Sequence, residues 1–387
     1  MRRRKATAAL VGLLLAGVAA TPAHAETIRS QQWHLDAMKA DEIWKITTGK
    51  GIAVAVIDSG VNDVPELEGQ VLSGKDFASA AGGDERTDAR DHGTSMASLI
   101  AGTGKHPTGD GAYGLAPGVK IIPIRIPAEQ NLTTPSWAEA IRYAADSDAR
   151  IISISQGMAS TPQNDVARAE AVKYALSKGK LIFASVGNTG NSTNEVEYPG
   201  ATPGVVGVAA VEASGEPTKE SQHGSQVDMA APGVDIVSAC SAKSGVCKGR
   251  GTSAATALAS ASAALLWSAH PEWTNNQVLR VLLNTAGKPA DGTERNDFVG
   301  YGVIRPRIAV PTPGDPGPAD VYPLPDLAAA SKSGGKTASP DGAAAPKPAP
   351  QAEAAKGGSS LLWVGLGLGA CVLIGGAVTA VLVRRNR

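Results

Sequence analysis

Runs of about six apolar residues, separated by segments with helical periodicity, constrain the fold of this chain most strongly. Most of these runs lack the alternation of apolar and polar residues that marks a strand with one face in water. They indicate strands buried on both faces and joined by helical crossovers. We therefore predict an α/β fold: a doubly wound, mostly parallel sheet with helices on both faces. The predicted strands are Ile52–Ile57, Val119–Ile126, Arg150–Ser155, Leu181–Val186 and Val205–Val211, and the predicted helices are Ser95–Gly102, Ser136–Ala145, Val166–Lys178, Ala254–Ala269 and Asn275–Thr285.

Residues 1–25 have the pattern of a secretory signal peptide. Basic residues precede a mostly apolar run at Ala8–Ala20, and Ala23-His24-Ala25 provides a cleavage site. An N-terminal membrane anchor is the alternative, but the apolar run is short for a span. We therefore predict cleavage after Ala25 and export of the rest of the chain.

A second apolar segment lies near the C-terminus, at 361–383, and contains no charged residue. At ~1.5 Å per residue it is long enough, as a helix, to cross a hydrocarbon core of ~30 Å. Basic residues follow it at 384–387, and basic residues stay on the cytoplasmic side of a span. The pattern predicts a single transmembrane helix at the cell membrane, a cytoplasmic tail at 384–387 and an extracellular N-terminal part.

Composition divides the rest of the chain into two parts. Residues 311–358 are mostly Pro, Ala, Gly, Ser, Asp and Lys, which predicts a disordered stalk because few large apolar residues are available to bury. Residues 26–310 remain as one globular domain. Lys and Arg (36) balance Asp and Glu (36), so the chain is not the globally basic kind of protein that binds nucleic acid.

Four polar residues lie where predicted strands end or predicted helices begin. Asp58 follows the first strand in V-I-D-S-G, and Asn188 follows the fourth in S-V-G-N. His92 (D-H-G-T-S) and Ser253 (G-T-S-A-A) lie at helix starts. Each one alone is more readily a turn or capping residue. Because ligands bind at the carboxyl edge of a parallel sheet, all four together indicate a site there.

The four residue types match the chemistry of a serine nucleophile. A serine hydroxyl attacks poorly unless an adjacent base takes its proton and a third group orients that base. We expect Ser253 to attack, His92 to take the proton, and Asp58 to fix the imidazole and stabilise its cation. Asn188, together with the N–H groups at the start of the helix of Ser253, would stabilise the developing oxyanion.

On these residues the domain resembles the subtilisin-like (S8) family of serine peptidases, which has the same Asp…His…Ser order. The resemblance implies a subtilisin-like fold and endopeptidase activity on proteins or peptides, with no required cofactor. It runs from about Gln32 to Pro306. It includes the motifs Q-W-H-L at 32–35, G-L-A-P at 114–117, Y-P-G at 198–200, A-A-P-G at 230–233 and G-Y-G-V at 300–303.

The resemblance also implies two substrate-binding segments. Ser155-Gln156-Gly157 matches the segment that pairs with the substrate backbone as an added strand. Ser185-Val186-Gly187 matches the other wall of the main specificity pocket. Gln156 stands where the family often has Leu, and we expect it to make the pocket more polar.

The order of segments is similar to that of the mycosins, membrane-anchored subtilases associated with type VII secretion in actinobacteria. This similarity implies secretion components of the membrane as partners. Two alternatives remain at this point: a subtilase scaffold that supports a secretion complex with little general proteolysis, and a non-enzymatic adhesin on a stalk. The second does not account for the four site residues.

The spacing of the cysteines and histidines bears on disulfide bonds and metal sites. Cys240 and Cys247 are close together in a chain predicted to be exported, so we expect a disulfide, with two free thiols or an intermolecular pair as alternatives. The histidines outside the site lack companions at metal-ligand spacing, so no metal site is predicted. Subtilases often bind structural calcium; no ligands are assigned, and the loop Gly82–His92 is a weak candidate.

Overall fold

The computed structural model describes residues 26–127 and 134–334. The predicted signal peptide (1–25), the predicted transmembrane helix (361–383) and the basic tail (384–387) lie outside the described residues. Within the described ranges, no helix combines the length and the apolar composition that crossing a bilayer requires.

A seven-stranded sheet lies at the centre of the domain. In chain order, the strands of this sheet and of two smaller sheets are β1 (Ala53–Asp58), β2 (Lys75–Asp76), β3 (Lys120–Arg125), β4 (Ile151–Ile154), β5 (Met158–Ala159), β6 (Leu181–Ser185), β7 (Glu197–Tyr198), β8 (Val206–Val211), β9 (Met229–Pro232), β10 (Ile236–Ala239) and β11 (Val246–Gly249). The order in the large sheet is β2-β3-β1-β4-β6-β8-β9, and every neighbouring pair is parallel. β5–β7 and β10–β11 form two small antiparallel sheets.

Helices cover both faces of the large sheet. In chain order, the α-helices of the described residues are α1 (Ile28–Gln31), α2 (Trp33–Ala37), α3 (Ala40–Ile43), α4 (His92–Ala101), α5 (Thr134–Asp146), α6 (Val166–Ser177), α7 (Thr252–Ala269), α8 (Asn275–Thr285), α9 (Pro306–Ala309) and α10 (Asp326–Gly334). α4 and α7 pack on one face, while α5 and α6 pack on the other. The predicted α/β fold with a parallel sheet between helices is confirmed.

The central strands read as continuous apolar runs because both of their faces are buried. Along β1, Val54 and Val56 join the core under α4 and α7, whereas Ala55 and Ile57 join the core under α5 and α6. Successive side chains of a strand point to opposite faces, so neither face of β1 can carry polar residues. β9 was not predicted from the sequence.

Residues 311–327 correct the prediction of a disordered stalk that begins at 311. The Arg280 guanidinium donates hydrogen bonds to the carbonyl groups of Pro316, Pro318 and Val321, and Leu324 is buried in the core. Composition alone did not predict this packing, because a few specific contacts, such as those of Arg280 and Leu324, are enough to order a Pro-rich segment. Residues 326–334 form α10, and the remainder of the predicted stalk, 335–358, lies outside the described residues.

Candidate active site

Asp58 and His92 form a hydrogen-bonded pair at the carboxyl edge of the sheet. Asp58 is the last residue of β1, and His92 is the first residue of α4. His92 Nδ1 lies 2.7 Å from Asp58 Oδ1. Gly93 permits this close approach of helix and strand, because a Cβ there would lie 2.2 Å from the carbonyl oxygen of Gly60. The Asp58 side chain is 1% exposed and that of His92 is 31% exposed, so a substrate can reach only the imidazole.

The pair shifts the pKa of each partner. Burial alone would raise the pKa of Asp58, but the nearby His92 and the hydrogen bonds from His92, Ser59 and Gln156 together lower it below its ordinary value. Burial alone would lower the pKa of His92, but the charge and hydrogen bond of Asp58, with the charge of Asp88, raise it above 6.5. The carboxylate is therefore ionised at neutral pH and stabilises a proton on the imidazole.

Asp88 is a supporting residue that the sequence reading missed. Its Oδ1 accepts a hydrogen bond of 2.8 Å from Ser59 Oγ, next to Asp58. Its Oδ2 accepts bonds of 2.9 and 2.7 Å from the backbone N–H and hydroxyl of Thr94, in the first turn of α4. Asp88 therefore ties the end of β1 to the helix of His92. Only its position in D-A-R-D-H-G, close to His92, could have indicated this from sequence.

Ser253 and Asn188 come together at the start of α7. Ser253 is the second residue of that helix, and Asn188 follows β6 in an exposed loop. Asn188 Oδ1 accepts a hydrogen bond of 2.9 Å from the backbone N–H of Thr252. The intervening Gly251 has φ 122°, and a Cβ there would lie 2.9 Å from Asn188 Oδ1. Glycine is therefore required at this turn.

The segment after β4 links the two halves of the site. Ser253 Oγ donates to the carbonyl oxygen of Ser155 at 2.9 Å, and Ser155 Oγ donates to the carbonyl oxygen of Ser253 at 3.1 Å. The next residue, Gln156, donates from Nε2 to Asp58 Oδ1 at 3.0 Å. The four predicted residues thus lie at one edge of the sheet. In this structure the hydroxyl of Ser253 is hydrogen-bonded to Ser155.

Gln156 corrects one expectation. Its side chain is 2% exposed and points inward to the carboxylate of Asp58. It therefore does not add a polar lining to a substrate pocket. A buried carboxylate needs donors, and the amide of Gln156 supplies one that a leucine could not.

A comparison with protein families identifies the family of this chain. The subtilase family model matches residues 49–302, a range that contains all four residues. The chain belongs to the subtilase family. This is a family of serine-type endopeptidases, and the relatives described next are serine proteases and mycosins of this kind.

Two curated relatives show the range of similar subtilases. Mycosin-1 of Mycobacterium tuberculosis (strain ATCC 25618 / H37Rv) is 30% identical over 339 residues, which are 74% of this chain and 74% of that protein. The thermophilic serine proteinase of Bacillus sp. (strain AK1) is 34% identical over 276 residues, which are 70% of this chain. The match spans 64% of the length of the proteinase, somewhat less than two thirds.

Solved structures place the subtilase among the mycosins. MycP1 from the ESX-1 type VII secretion system has a TM-score of 0.64 at 29% identity, and the match covers 75% of this chain and 88% of MycP1. A chain of the periplasmic assembly from the ESX-5 inner membrane complex has a TM-score of 0.65 at 28% identity, covering 84% of this chain and 91% of that one. With the similarity to Mycosin-1, these matches support the mycosin subgroup.

The two predicted substrate-binding segments lie at the ends of the neighbouring strands β4 and β6, the first starting at Ser155 and the second ending next to Asn188. Ser155 contacts Ser253, and Gly157 lies two residues further on. In the other segment Ser185 is buried, the Val186 side chain packs in the core, and only Gly187 lies next to Asn188. The backbone of Ser185–Gly187, rather than its side chains, is thus what this segment can offer to a substrate.

Glu197 lies close to Gly157 and Gly187, and no role was predicted for it from the sequence. A Cβ on Gly157 would lie 3.0 Å from its Oε2, and a Cβ on Gly187 would lie 2.6 Å from its Cδ. Its position directly before the Tyr198-Pro199-Gly200 motif was the available signal.

Cys240 and Cys247 form a disulfide, with the two Cα atoms 5.8 Å apart. The bond connects the end of the β10 strand to β11 in the antiparallel hairpin. The next residue, Ser241, donates its backbone N–H to Asp91 Oδ1 at 3.0 Å, immediately before His92. The disulfide-bonded hairpin therefore packs against the start of α4.

The loop Gly82–His92 does not fit as a calcium site. Asp84 accepts hydrogen bonds from Arg86 and Thr87, and Asp91 accepts them from Asn62 and Ser241. Of the other two acids of the loop, Asp88 accepts the bonds described above and Glu85 accepts one from the backbone N–H of Gly74. In the part of the chain that the structure describes, no group of three or more His, Cys, Asp or Glu side chains is arranged to hold a metal ion.

Proposed function

We propose that this subtilase is an active serine endopeptidase in which Ser253 is the nucleophile, His92 the general base and Asp58 the group that orients His92. The 2.7 Å contact between a buried carboxylate and His92 Nδ1 is the observation that carries the proposal. An ionised carboxylate can only accept a hydrogen bond, so Nδ1 carries the proton. Nε2 then keeps its lone pair and can accept the proton of Ser253.

The reaction would run in two halves. Ser253 Oγ attacks the scissile carbonyl carbon while His92 takes the hydroxyl proton. The tetrahedral adduct then collapses, the C–N bond breaks, and His92 returns the proton to the departing amine. In the second half, water attacks the acyl-enzyme with His92 again as base, and the carboxylic acid leaves as Ser253 regains its proton. These steps use water and side chains of this chain alone.

Asn188 would stabilise the oxyanion of both tetrahedral adducts. Thr252 holds the amide oxygen of Asn188, so the exposed NH₂ group is the part of the side chain that faces a ligand. The backbone N–H of Ser253, at the start of the 18-residue helix α7, would be a second donor. Fixed donors of this kind stabilise the charge that develops in the transition state.

We place the enzyme outside the cytoplasmic membrane, anchored by the predicted helix 361–383 after removal of residues 1–25. The sequence patterns at both ends support this placement. The similarity to a chain of the ESX-5 periplasmic assembly supports components of a type VII secretion membrane complex as partners. Membrane association that resists carbonate washing, and is lost when residues 359–387 are deleted, would check the anchor.

The second candidate function is a scaffold for a secretion complex with little general proteolysis. The match to the ESX-5 assembly, which covers 84% of this chain, is the observation that favours it. It does not require an ionised Asp58 paired with His92, whereas peptide hydrolysis does. The two functions are therefore separated by the reactivity of Ser253.

Labelling of the full-length protein with a fluorophosphonate tests the proposal. We expect wild type to be labelled at Ser253 and both Ser253→Ala and His92→Ala to be unlabelled. Ser214→Ala is the matched control, because Ser214 is an exposed serine in the turn after β8 and is not one of the four site residues, so its removal should not affect labelling. Absence of labelling in folded wild-type protein would contradict the endopeptidase proposal and favour the scaffold.

A further inference from the structure

The residue directly before His92 has an unusual backbone conformation. Asp91 precedes α4 and has φ 56° and ψ 8°, in the left-handed region that few residues other than glycine adopt. An aspartate directly before a helix often accepts a hydrogen bond from the first turn, but the Asp91 side chain makes no such bond with α4. Its hydrogen bonds go to other parts of the chain.

The Asp91 carboxylate joins two segments that are far apart in sequence. Its Oδ1 accepts a hydrogen bond of 3.1 Å from Asn62 Nδ2, in the loop after β1, and one of 3.0 Å from the backbone N–H of Ser241, in the tip of the β10–β11 hairpin. Asn62 Nδ2 also donates to Ser241 Oγ at 2.8 Å. The three residues thus form one hydrogen-bonded group at the start of α4.

The hairpin contacts α4 at a second point. The backbone N–H of Ala239 donates to Ser98 Oγ at 3.0 Å, and Ser98 lies about two helical turns after Asp91. Cys240 lies between Ala239 and Ser241, and its disulfide to Cys247 closes the hairpin. The two contacts with α4 therefore lie directly before and directly after a covalent cross-link.

The same hairpin leads to the proposed nucleophile. β11 ends at Gly249, and Ser253 follows shortly afterwards in the first turn of α7. One strand of the hairpin thus contacts the helix of the proposed base, and the other strand continues into the helix of the nucleophile. Relative position matters here, because a displacement of about 1 Å at a reacting group can cost about 100-fold in rate.

We propose that Asp91 is a positioning residue, which links the disulfide-bonded hairpin to the start of α4 and so holds His92 where the reaction requires it. The inference rests on the proposed function, because it takes His92 as the base. Asp58 fixes Nδ1 of the imidazole, but Nε2, which has to reach Ser253, is also placed by the backbone of His92. Asp91 fixes that backbone, since it is the preceding residue and its carboxylate is held from outside the helix.

Two substitutions separate the hydrogen bonds of Asp91 from its backbone conformation. Asp91→Gly keeps a residue that adopts this φ without strain but removes the acceptor. Asp91→Asn keeps an acceptor oxygen in a residue type that also tolerates the left-handed region. We would measure the rate of Ser253 phosphonylation by a fluorophosphonate in the full-length protein. We expect Asp91→Gly to slow labelling by about 10- to 100-fold and Asp91→Asn to keep most of the wild-type rate.

Asp235→Gly is the matched control. Asp235 is another aspartate with a positive φ, 53°, and it lies directly before β10 of the same hairpin. Its carboxylate pairs with Lys248 at 3.3 Å, and both side chains are exposed. Asp235→Gly should keep the wild-type labelling rate, and so separates the contact with α4 from a general effect of glycine next to the hairpin.

Opening the disulfide tests whether the hairpin acts through Asp91. Cys240→Ala combined with Cys247→Ala should slow labelling several-fold while Asp91 is present, because the hairpin tip that carries Ser241 is no longer closed. In Asp91→Gly the same two changes should have little further effect, since the link is already absent. Coupled residues give such non-additive effects, whereas independent sites give additive ones.

Four results would overturn the inference. They are a wild-type rate in Asp91→Gly, an equal loss in Asp235→Gly, an equal loss in Asp91→Asn, and additive losses when the disulfide is also opened. The final labelled fraction and the urea midpoint of each sample show whether it is folded. If the cysteine variant does not fold, the Asp91 and Asp235 variants still decide the question.

Wild-type protein in the same experiment distinguishes the two levels of failure. If Ser253 is labelled in wild type and equally fast in Asp91→Gly, the role of Asp91 is wrong and the proposed function stands. If folded wild type is not labelled, the proposed function fails and the inference fails with it.

Discussion

Two carboxyl groups, Asp58 and Asp228, lie at opposite edges of the same parallel sheet, and their pKa values are shifted in opposite directions. Asp58 is the last residue of β1, at the carboxyl edge, and its pKa lies below the ordinary value. Asp228 directly precedes β9, at the amino edge, and its pKa is raised to about 8. Asp58 is buried and Asp228 is half-buried, and burial raises the pKa of both, so burial alone does not explain the difference.

The neighbours of each carboxylate explain it. Asp58 Oδ1 accepts hydrogen bonds from His92, from Gln156 and from the backbone N–H of Ser59. Burial raises the pKa of Asp228, and the main contact that lowers it is one backbone hydrogen bond of 2.9 Å from Gly207. The nearby carboxyl group of Asp326 raises the pKa of Asp228 further. One edge of the sheet is therefore built around a negative charge, while the other keeps a carboxyl group protonated.

The same substitution at the two positions should give the largest difference. Asp58→Asn removes the charge that holds the proton on His92 Nδ1, and we expect kcat to fall by about 10⁴-fold, as for other serine peptidase triads. Asp228→Asn should keep wild-type activity, because Asp228 lies at the amino edge. Steady-state kinetics on one peptide substrate would check both, with circular dichroism to confirm folding. Equal losses of activity in the two variants would contradict the claim that only the carboxylate of Asp58 takes part in catalysis.

Asn188→Ala should give the next largest effect. Removing one fixed oxyanion donor lowers kcat by about 10²- to 10³-fold, with a smaller effect on KM because the bond forms mainly in the transition state. Asn191→Ala is the control, since Asn191 is an exposed asparagine in the same loop. A loss confined to KM would show instead that Asn188 acts in substrate binding.

Asp228 should make the folded protein less stable as pH rises. Folding raises the pKa of the Asp228 carboxyl group from its ordinary value of 3.8 to about 8. Between about pH 4 and pH 8 the group is therefore protonated in the folded protein and ionised in the unfolded protein. The free energy of unfolding then decreases as pH rises through this window, and asparagine cannot ionise. We expect Asp228→Asn to stabilise the protein by at least about 1 kcal/mol more at pH 8 than at pH 5.

Urea unfolding of wild type and Asp228→Asn at both pH values measures this difference. Arg295 lowers the pKa of Asp228 and is left unchanged, so the comparison isolates the carboxyl group. A stability difference that does not vary with pH would show that Asp228 is ionised in the folded protein.

Tyr322→Phe should give the smallest effect. The Tyr322 hydroxyl is buried without a hydrogen-bond partner among the described residues, and burial with the nearby Asp326 and Asp228 raises its pKa well above the ordinary value. Removing an unsatisfied buried hydroxyl is neutral or stabilising, by up to about 1 kcal/mol. Thermal unfolding would measure it, and a clear loss of stability would show that the hydroxyl is satisfied in solution.

The difference between the two edges also separates what the sequence predicted from what it did not. Asp58, His92, Asn188 and Ser253 each lie where an apolar run ends or a helix begins, so the topology of a parallel sheet brings them to one edge. Such positions can be found from local patterns because a site built on element ends is fixed by the order of those elements.

The environment of Asp228 at the amino edge depends on contacts between distant parts of the chain, which no local sequence pattern predicts. Asp228 meets Asp326 only because residues 311–327 pack on the domain, and their composition indicated a stalk. Gln156 was assigned the wrong role and Glu197 was missed, both for a related reason. The direction of each side chain, toward Asp58 in one case and toward Gly157 and Gly187 in the other, depends on packing between segments far apart in sequence.

The rate of Ser253 phosphonylation as a function of pH tests the central claim most directly. We would measure it on the full-length protein with a fluorophosphonate from pH 5 to pH 9. The Asp58–His92 pair predicts one sigmoidal rise with a midpoint above 6.5, since His92 must lose its proton to act as base and its pKa is raised. A rate that does not change with pH, or a midpoint below 6.5, would contradict the claim that an ionised Asp58 activates the site.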